Sequence, residues 1–216
     1  MTKLEGMSDF FAARVEGYDE HMIENVEGCR EGYIKMASLV PENSKNILDL
    51  GCGTGLELDE IFKLNPTVSV TGSDLTEPML EKLRLKHPNK DLTLICGDYF
   101  ETEFGDGKYD VCISFQTMHH FSHEKKIELY KKIRSCLKSG GAYIECDYMV
   151  EKQEDEDYFF AENTRLRKEQ NIPDDVFCHY DTPCTVSNQI IMLNNAGFKS
   201  IEQVFKLGNT TILICK

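Results

Sequence analysis

The segment Asp49-Leu50-Gly51-Cys52-Gly53-Thr54-Gly55 constrains this chain more than any other. It continues the short apolar run that begins at Ile47-Leu48 and leads directly into Leu56 to Leu64, a stretch compatible with a helix. Glycines at alternate positions permit backbone angles closed to other residues and let a ligand approach the main chain. A strand–loop–helix context is what a nucleotide fingerprint requires, and a glycine triplet without it would carry little weight. The dinucleotide form, GxGxxG, would place its third glycine at position 56, where Leu56 stands. A nicotinamide dinucleotide is therefore disfavoured.

The chain repeats the same unit. Val68 to Leu75 reads as a second strand, Pro78 to Lys86 as a helix with proline in its first turn, and Leu92 to Cys96 as a third strand. Tyr109 to Gln116 is the fourth, with Val111, Ile113 and Phe115 at period two. Ser122 is placed to cap a helix running to about Leu137 and closed by Ser139-Gly140-Gly141, after which Ala142 to Met149 is a fifth strand. Repeated βα units predict a parallel sheet with helices on both faces. Thr185 or Ser187 then caps a helix carrying Ile190, Ile191 and Leu193 that stops at Gly197. Ile201 to Leu207 and Thr211 to Cys215 read as an antiparallel hairpin around Gly208-Asn209. Two segments stand outside the alternation. Residues 1–40 look helical, with Met22, Val26, Met36 and Val40 on compatible faces and interruptions at Gly28 and Gly32, and residues 151–184 are an insertion with a helix around Tyr158 to Lys168. At 216 residues the whole of 1–216 is expected to form one domain.

Charge follows the same division. The formal net charge is −13, but residues 1–31 hold 8 acids against 3 bases and residues 151–181 hold 10 against 4, leaving only −2 for the rest. Nucleic-acid binders present basic surfaces that release counterions from phosphates, and this chain offers none. The stretch Val111 to Phe115, apolar but for Ser114, is far below the ~20 residues of a membrane span, and the N-terminus lacks the pattern of a secretory signal. A cytoplasmic protein is expected. The nine cysteines form no CxxC pair. Cys96, Cys112, Cys146 and Cys215 lie in runs that read as buried strands, where a thiol packs as a small hydrophobe. Cys178 and Cys184, with His179 between them, lack a second ligand pair, so no metal is expected and the thiols are read as reduced.

The pattern D-x-G-x-G-x-G, with Asp49 two residues before Gly51, resembles the class I methyltransferases that use S-adenosylmethionine (SAM). Two more acids fall in step with it: Asp74 ends the second strand and Asp98 follows the third in Cys96-Gly97-Asp98-Tyr99. Acids at the carboxyl ends of successive strands converge on the crevice where open α/β sheets bind ligands. The resemblance implies a Rossmann-like α/β fold with a seven-stranded, mostly parallel sheet and an antiparallel last strand. The N-terminal helices and the insertion after strand five would form a cap. By the same resemblance Asp74, within Asp74-Leu75-Thr76-Glu77-Pro78, binds the ribose, Asp98 faces the adenine amino group, and Tyr99 lies beside the ring. Gly17-Tyr18-Asp19-Glu20 looks like a Tyr-Asp element that folds over the cofactor in small-molecule methyltransferases. The cofactor-binding set is then Tyr18, Asp49, Gly51, Cys52, Gly53, Asp74, Leu75, Asp98, Tyr99 and Gln116, with S-adenosylhomocysteine as product.

The acceptor is less legible. Ser114-Phe115-Gln116-Thr117 is not the Asn/Asp-Pro-Pro-aromatic motif of methyltransferases acting on planar nitrogens, and no Pro-Cys pair follows that strand. A small-molecule acceptor is expected. His119 and His120 are candidate bases near the sulfonium, or else packing and capping groups. Asp147 and Tyr148 either bind substrate or satisfy loop amides. Methyl transfer from a sulfonium is an in-line displacement whose reactivity the cofactor carries, so alignment matters more than a dedicated base. Two rivals remain: a SAM-binding protein without catalysis, and transfer of another group from a SAM-like sulfonium. The two acidic segments are expected to act as a lid, with Tyr18, Phe159, Phe160 and Tyr180 as apolar cover.

Overall fold

Residues 3–216 are described by a computed structural model. Its centre is a sheet in the order β3-β2-β1-β4-β5-β8-β7. Here β1 is Asn46–Leu50, β2 Ser69–Asp74, β3 Leu92–Cys96, β4 Tyr109–Phe115 and β5 Leu137–Val150, all parallel. The closing hairpin, β7 (Ile201–Leu207) and β8 (Thr210–Cys215), runs β8 antiparallel against β5. Strand order reverses between β1 and β4, and the crevice outside their carboxyl ends is where such a sheet binds its ligand.

Period-two alternation divides the core between the two faces. Ile47, Val111 and Ile113 pack under α3 (Cys29–Leu39) and α4 (Leu56–Leu64), against Met36, Leu58 and Ile61. Leu48, Leu50 and Cys112 point the other way, onto α6 (His123–Cys136) and α8 (Val186–Asn195), where Leu129, Ile133 and Leu193 are buried. Caps fix where the second pair of helices starts. Ser122 accepts from the Lys125 amide and Thr185 from the Asn188 amide, so Thr185 rather than Ser187 is the cap of α8. Helix α5 (Glu77–Lys86) completes the β2–β3 crossover and carries Pro78 in its first turn.

Several expectations need correction. The main sheet has the seven strands expected, and Cys184–Thr185 add a two-residue strand, β6, off that path beside the end of β5. Helix α6 stops at Cys136, and Ser139-Gly140-Gly141 is no helix terminus but an irregular stretch inside β5. Gly140 takes φ +81° there, and the β4–β5 register shifts between Tyr109 and Val111. The N-terminal region breaks at Gly28 as expected, but Gly32 lies inside α3; ahead of Gly28 come α1 (Met7–Ala12), a 3₁₀ turn at Val15–Gly17 and α2 (Tyr18–Glu24). In the insertion, α7 spans Gln153–Glu169, beginning well before Tyr158. Cys96 is exposed, since it ends the edge strand β3, while Cys112, Cys146 and Cys215 are buried as expected. Among the described residues no helix is long and apolar enough to cross a membrane.

Candidate active site

The glycine loop turns between β1 and α4 with Gly51, Gly53 and Gly55 at φ +74°, +46° and +75°. It is stitched to the end of β2. The amides of Gly51 and Cys52 both donate to the Ser73 carbonyl, at 2.8 and 3.2 Å. The Gly53 amide donates to Asp74 Oδ2 at 3.0 Å, and the Thr76 amide donates to Asp74 Oδ1 at 2.8 Å. One carboxylate thus holds the loop on one side and the start of α5 on the other. An ionised carboxylate accepts about four hydrogen bonds, so both oxygens keep capacity for a ligand. No residue crowds Gly53: a Cβ there would have nothing nearer than 3.9 Å, which leaves its backbone open to close approach.

These residues bound a cleft of about 40 Å³ lined by Gly51, Gly53, Asp74, Leu75, Tyr99 and Gln116. Tyr99 is buried and its hydroxyl lies 3.2 Å from Thr117 Oγ1. Gln116 sits at φ 51°, a left-handed conformation that costs a non-glycine residue roughly 1 kcal/mol or more and is commonest at functional sites. Its side-chain Nε2 donates to Thr210 Oγ1 at 3.3 Å and to Cys29 Sγ at 3.5 Å. Three of the expected residues lie elsewhere. Cys52 is buried with its sulfur against Gly72. Asp98 is exposed and caps its own turn, accepting from the Phe100 amide at 2.8 Å. Asp49 is fully buried beneath the loop.

Asp49 is there because of strand period. It shares a face of β1 with Ile47, under α4, and Glu57 on α4 is buried beside it. Neither Asp49 oxygen has a hydrogen-bond donor. Burial first, then the neighbouring Glu57, lifts the Asp49 carboxyl well above its usual range, and burial raises Glu57 to about 7. One proton shared between them converts two acceptors into a donor and an acceptor, which accounts for the pair without a third partner.

The two acidic segments meet over the cleft. The Glu5 carbonyl accepts from the His179 amide, the Met7 amide donates to the Phe177 carbonyl, and Gly6 bridges Cys178 in antiparallel fashion. Met7, Phe11, Tyr18 and Phe177 line the cleft from above. Helix α2 is tied to the loop as well, for Thr54 Oγ1 donates to Asp19 Oδ1 at 2.6 Å, with Lys82 and Lys86 near the same carboxylate. The aromatic cover differs from the expected one. Tyr18 takes part, but Phe159 edges against Tyr148, Phe160 against His123, and Tyr180 packs on the small cluster of Leu4, Leu166 and Cys178. Phe10, Phe11 and Phe177 take their places. Nothing in the chain order marks them, because aromatics in a short amphipathic helix or a loop read as ordinary packing residues.

Beyond Gln116 the cleft opens into a cavity of about 850 Å³, lined by Phe11, Tyr18, His119, His120, His179 and Asp181 among others. His119 Nδ1 lies 2.7 Å from Asp147 Oδ1. Burial opposes charge on this imidazole, but Asp147 and then Asp181 outweigh it and raise its pKa to about 9. His120 goes the other way, lowered by burial and by its charged neighbour. His179 and Asp181 were not marked as site residues by the sequence. They arrive from the insertion, where Thr182 clamps to the 3₁₀ turn Met118–His120: its amide and hydroxyl both donate to the His119 carbonyl, at 2.7 and 2.9 Å.

Comparison with known proteins agrees with this geometry. Residues 47–141 match a family described as a methyltransferase domain. A carboxy-S-adenosyl-L-methionine synthase of Campylobacter fetus is 29% identical over 182 residues, which is 78% of this chain and 75% of the relative. A solved structure from Nostoc punctiforme superposes on 98% of this chain with a TM-score of 0.72 at 18% identity. Human N-acetylserotonin methyltransferase, solved with SAM, superposes on 96% at 0.64 and 16%. The chain spans 61% and 54% of those two structures.

Proposed function

We propose that the chain is a class I SAM-dependent methyltransferase and that its acceptor is a small molecule held in the 850 Å³ cavity beside Gln116. The carrying observation is that this cavity adjoins the cleft through Phe11, Tyr18, Gln116 and His120, and has the volume of a metabolite site. In this reading Asp74 accepts from the ribose hydroxyls, and the loop amides at Gly51 and Gly53 approach the amino-acid part of the cofactor. Tyr99 and Leu75 flank the base. Tyr18 closes the top, where burial, followed by the Glu57 and Asp74 charges, keeps its phenol protonated. The protein's contribution to the displacement is to align nucleophile, methyl and sulfur and to exclude water. The −11 carried by residues 1–31 and 151–181 opposes phosphate backbones and suits a neutral or cationic acceptor.

The Campylobacter relative is named for making a carboxylated SAM, which favours a second reading in which this chain does likewise. Carboxylate recognition calls for a free cation. Arg14 is the one guanidinium among the described residues lining the larger cavity, and its Nη2 already donates to Glu5 Oε1 at 3.0 Å while the group stacks 3.6 Å from the Phe10 ring centre. Methyl transfer is the better fit. Incubation with methyl-labelled SAM and separate small-molecule, protein and RNA fractions tests the acceptor class: label is expected in the small-molecule fraction, and label in RNA would overturn the proposal.

Met7, Phe11, Tyr18 and Phe177 cover the cleft, and in this reading they move for the cofactor to enter. Hydrogen exchange reads that motion. Residues 4–14 and 176–182 should gain protection when SAM and product are added; unchanged exchange in both would show that they merely pad the sheet.

A further inference from the structure

The wall of the larger cavity holds an arrangement that protein groups alone leave unbalanced. His119 Nε2 lies 3.5 Å from Asp181 Oδ1, His120 Nδ1 3.6 Å from the same oxygen, and His179 Nε2 3.8 Å from it. Neither His120 Nδ1 nor Asp181 Oδ1 has a hydrogen-bond partner, although both atoms are buried and the His120 side chain is only 6% exposed. Asp147 engages His119 at Nδ1, which leaves Nε2 facing Asp181, and His120 Nδ1 faces the same carboxylate oxygen. Two imidazole nitrogens and a carboxylate oxygen thus converge on one point. Asp147 and Asp181 favour a positive charge there, which a proton on His119 or a metal ion in its place supplies.

We propose that His119 Nε2, His120 Nδ1 and Asp181 Oδ1 form a binding site for a divalent transition-metal ion of the zinc class, opening onto the acceptor cavity. Zinc binds imidazole nitrogen at about 2.0–2.1 Å and carboxylate oxygen at about 2.0–2.2 Å, so tetrahedral ligands stand roughly 3.3–3.5 Å apart. The two shorter separations, 3.5 and 3.6 Å, lie at and just above that spacing, and all three ligand atoms are within 4.8 Å of one another. Three protein ligands with an open position is the pattern of a catalytic rather than a structural site. Two imidazoles with one carboxylate select zinc, iron or cobalt over magnesium or calcium. Asp147 behind His119 supplies the carboxylate–histidine support that fixes the tautomer of a metal-bound imidazole. Charge also balances: Asp147 and Asp181 against one divalent ion sum to zero, whereas a single imidazolium leaves one negative charge over. Thr182 holds Asp181 in place through the His119 carbonyl, so the site is built before the ion arrives.

The open position faces the cavity where the acceptor is placed. A hydroxyl or thiol bound there loses its proton to solvent and presents its lone pair to the sulfonium methyl; the C–S bond breaks and its electron pair remains on sulfur. That use of the ion rests on the methyltransferase reading, while its binding does not.

Tag-free protein stripped with chelator and titrated with Zn²⁺ should take up one ion per chain, and Co²⁺ should give visible d–d bands that Zn²⁺ displaces. Asp181→Ala should abolish the bands and Asp147→Asn should weaken binding by about 10–100-fold. His123→Ala, in the separate His123–Glu156–Cys184 group, should change nothing. Calorimetry with SAM on the same variants separates the two claims: Asp181→Ala should bind cofactor as the parent does, which also shows that it folds. No retained ion in the parent, bands that survive Asp181→Ala, loss of the bands in His123→Ala, or near-ultraviolet thiolate charge transfer from Co²⁺ would each overturn the inference.

Discussion

Replacing Asp74 with alanine should weaken SAM binding by a factor on the order of 10²–10⁴, the largest loss expected from any single polar side chain. Two ribose hydroxyls donating to a charged acceptor are each worth roughly 1.5–3 kcal/mol, and both are removed together. The structure adds a second route to the same loss. Asp74 already accepts from the Gly53 and Thr76 amides, so its deletion frees the glycine loop that the cofactor approaches. Burial raises the Asp74 carboxyl, and the Thr76 and Gly53 amides offset that rise. Asp74→Asn separates the contributions: it keeps one acceptor oxygen but loses the charge, and should fall between alanine and the parent in calorimetry. Unchanged affinity in Asp74→Ala would sink the assignment of this cleft to SAM.

Gly51→Ala should both destabilise the protein and close the cleft. A Cβ there would overlap the Thr117 hydroxyl and stand 2.9 Å from the Tyr99 hydroxyl, and the residue's φ of +74° is strained for any L side chain. Left-handed strain of roughly 1–2 kcal/mol and overpacking of roughly 1–3 kcal/mol together predict a loss of about 2–5 kcal/mol in denaturant unfolding. The two causes come apart in a double variant. Thr117→Ala on the Gly51→Ala background removes the overlap but not the backbone strain, so it should recover stability only in part. A Gly51→Ala protein as stable as the parent, with intact SAM binding, would mean that the loop adopts another conformation in solution.

The parts of this site that the chain announced are the local ones. Gly51, Gly53 and Asp74 follow strands whose register is set by period-two burial, and β1 pairs β2 directly, so neighbours in the motif become neighbours in space. Reading failed where a local signal had a non-local answer. Ser139-Gly140-Gly141 looks like a helix stop, yet Gly140 serves an irregularity that lets β5 begin at Leu137 and pair with Tyr109. Asp49 carries the motif, but strand alternation turns it beneath the loop toward Glu57. Of the His119–His120–Asp181 group only the two histidines could be read. Its members are joined by Thr182 binding the His119 carbonyl, a contact between an insertion and a 3₁₀ turn that no spacing rule encodes. The aromatic lid failed for a related reason: the side of α7 that meets the sheet depends on its start at Gln153, well before Tyr158.

The central claim is that the group leaving the sulfonium is a methyl. Mass spectrometry of the sulfur-containing product decides it most directly, using SAM labelled on the methyl carbon and a metabolite pool as acceptor. The account predicts S-adenosylhomocysteine without label, in amounts equal to the labelled methyl gained by an acceptor. Recovery of a sulfonium that keeps the labelled carbon and has gained a carboxyl group would contradict it and assign the chain the chemistry for which its Campylobacter relative is named.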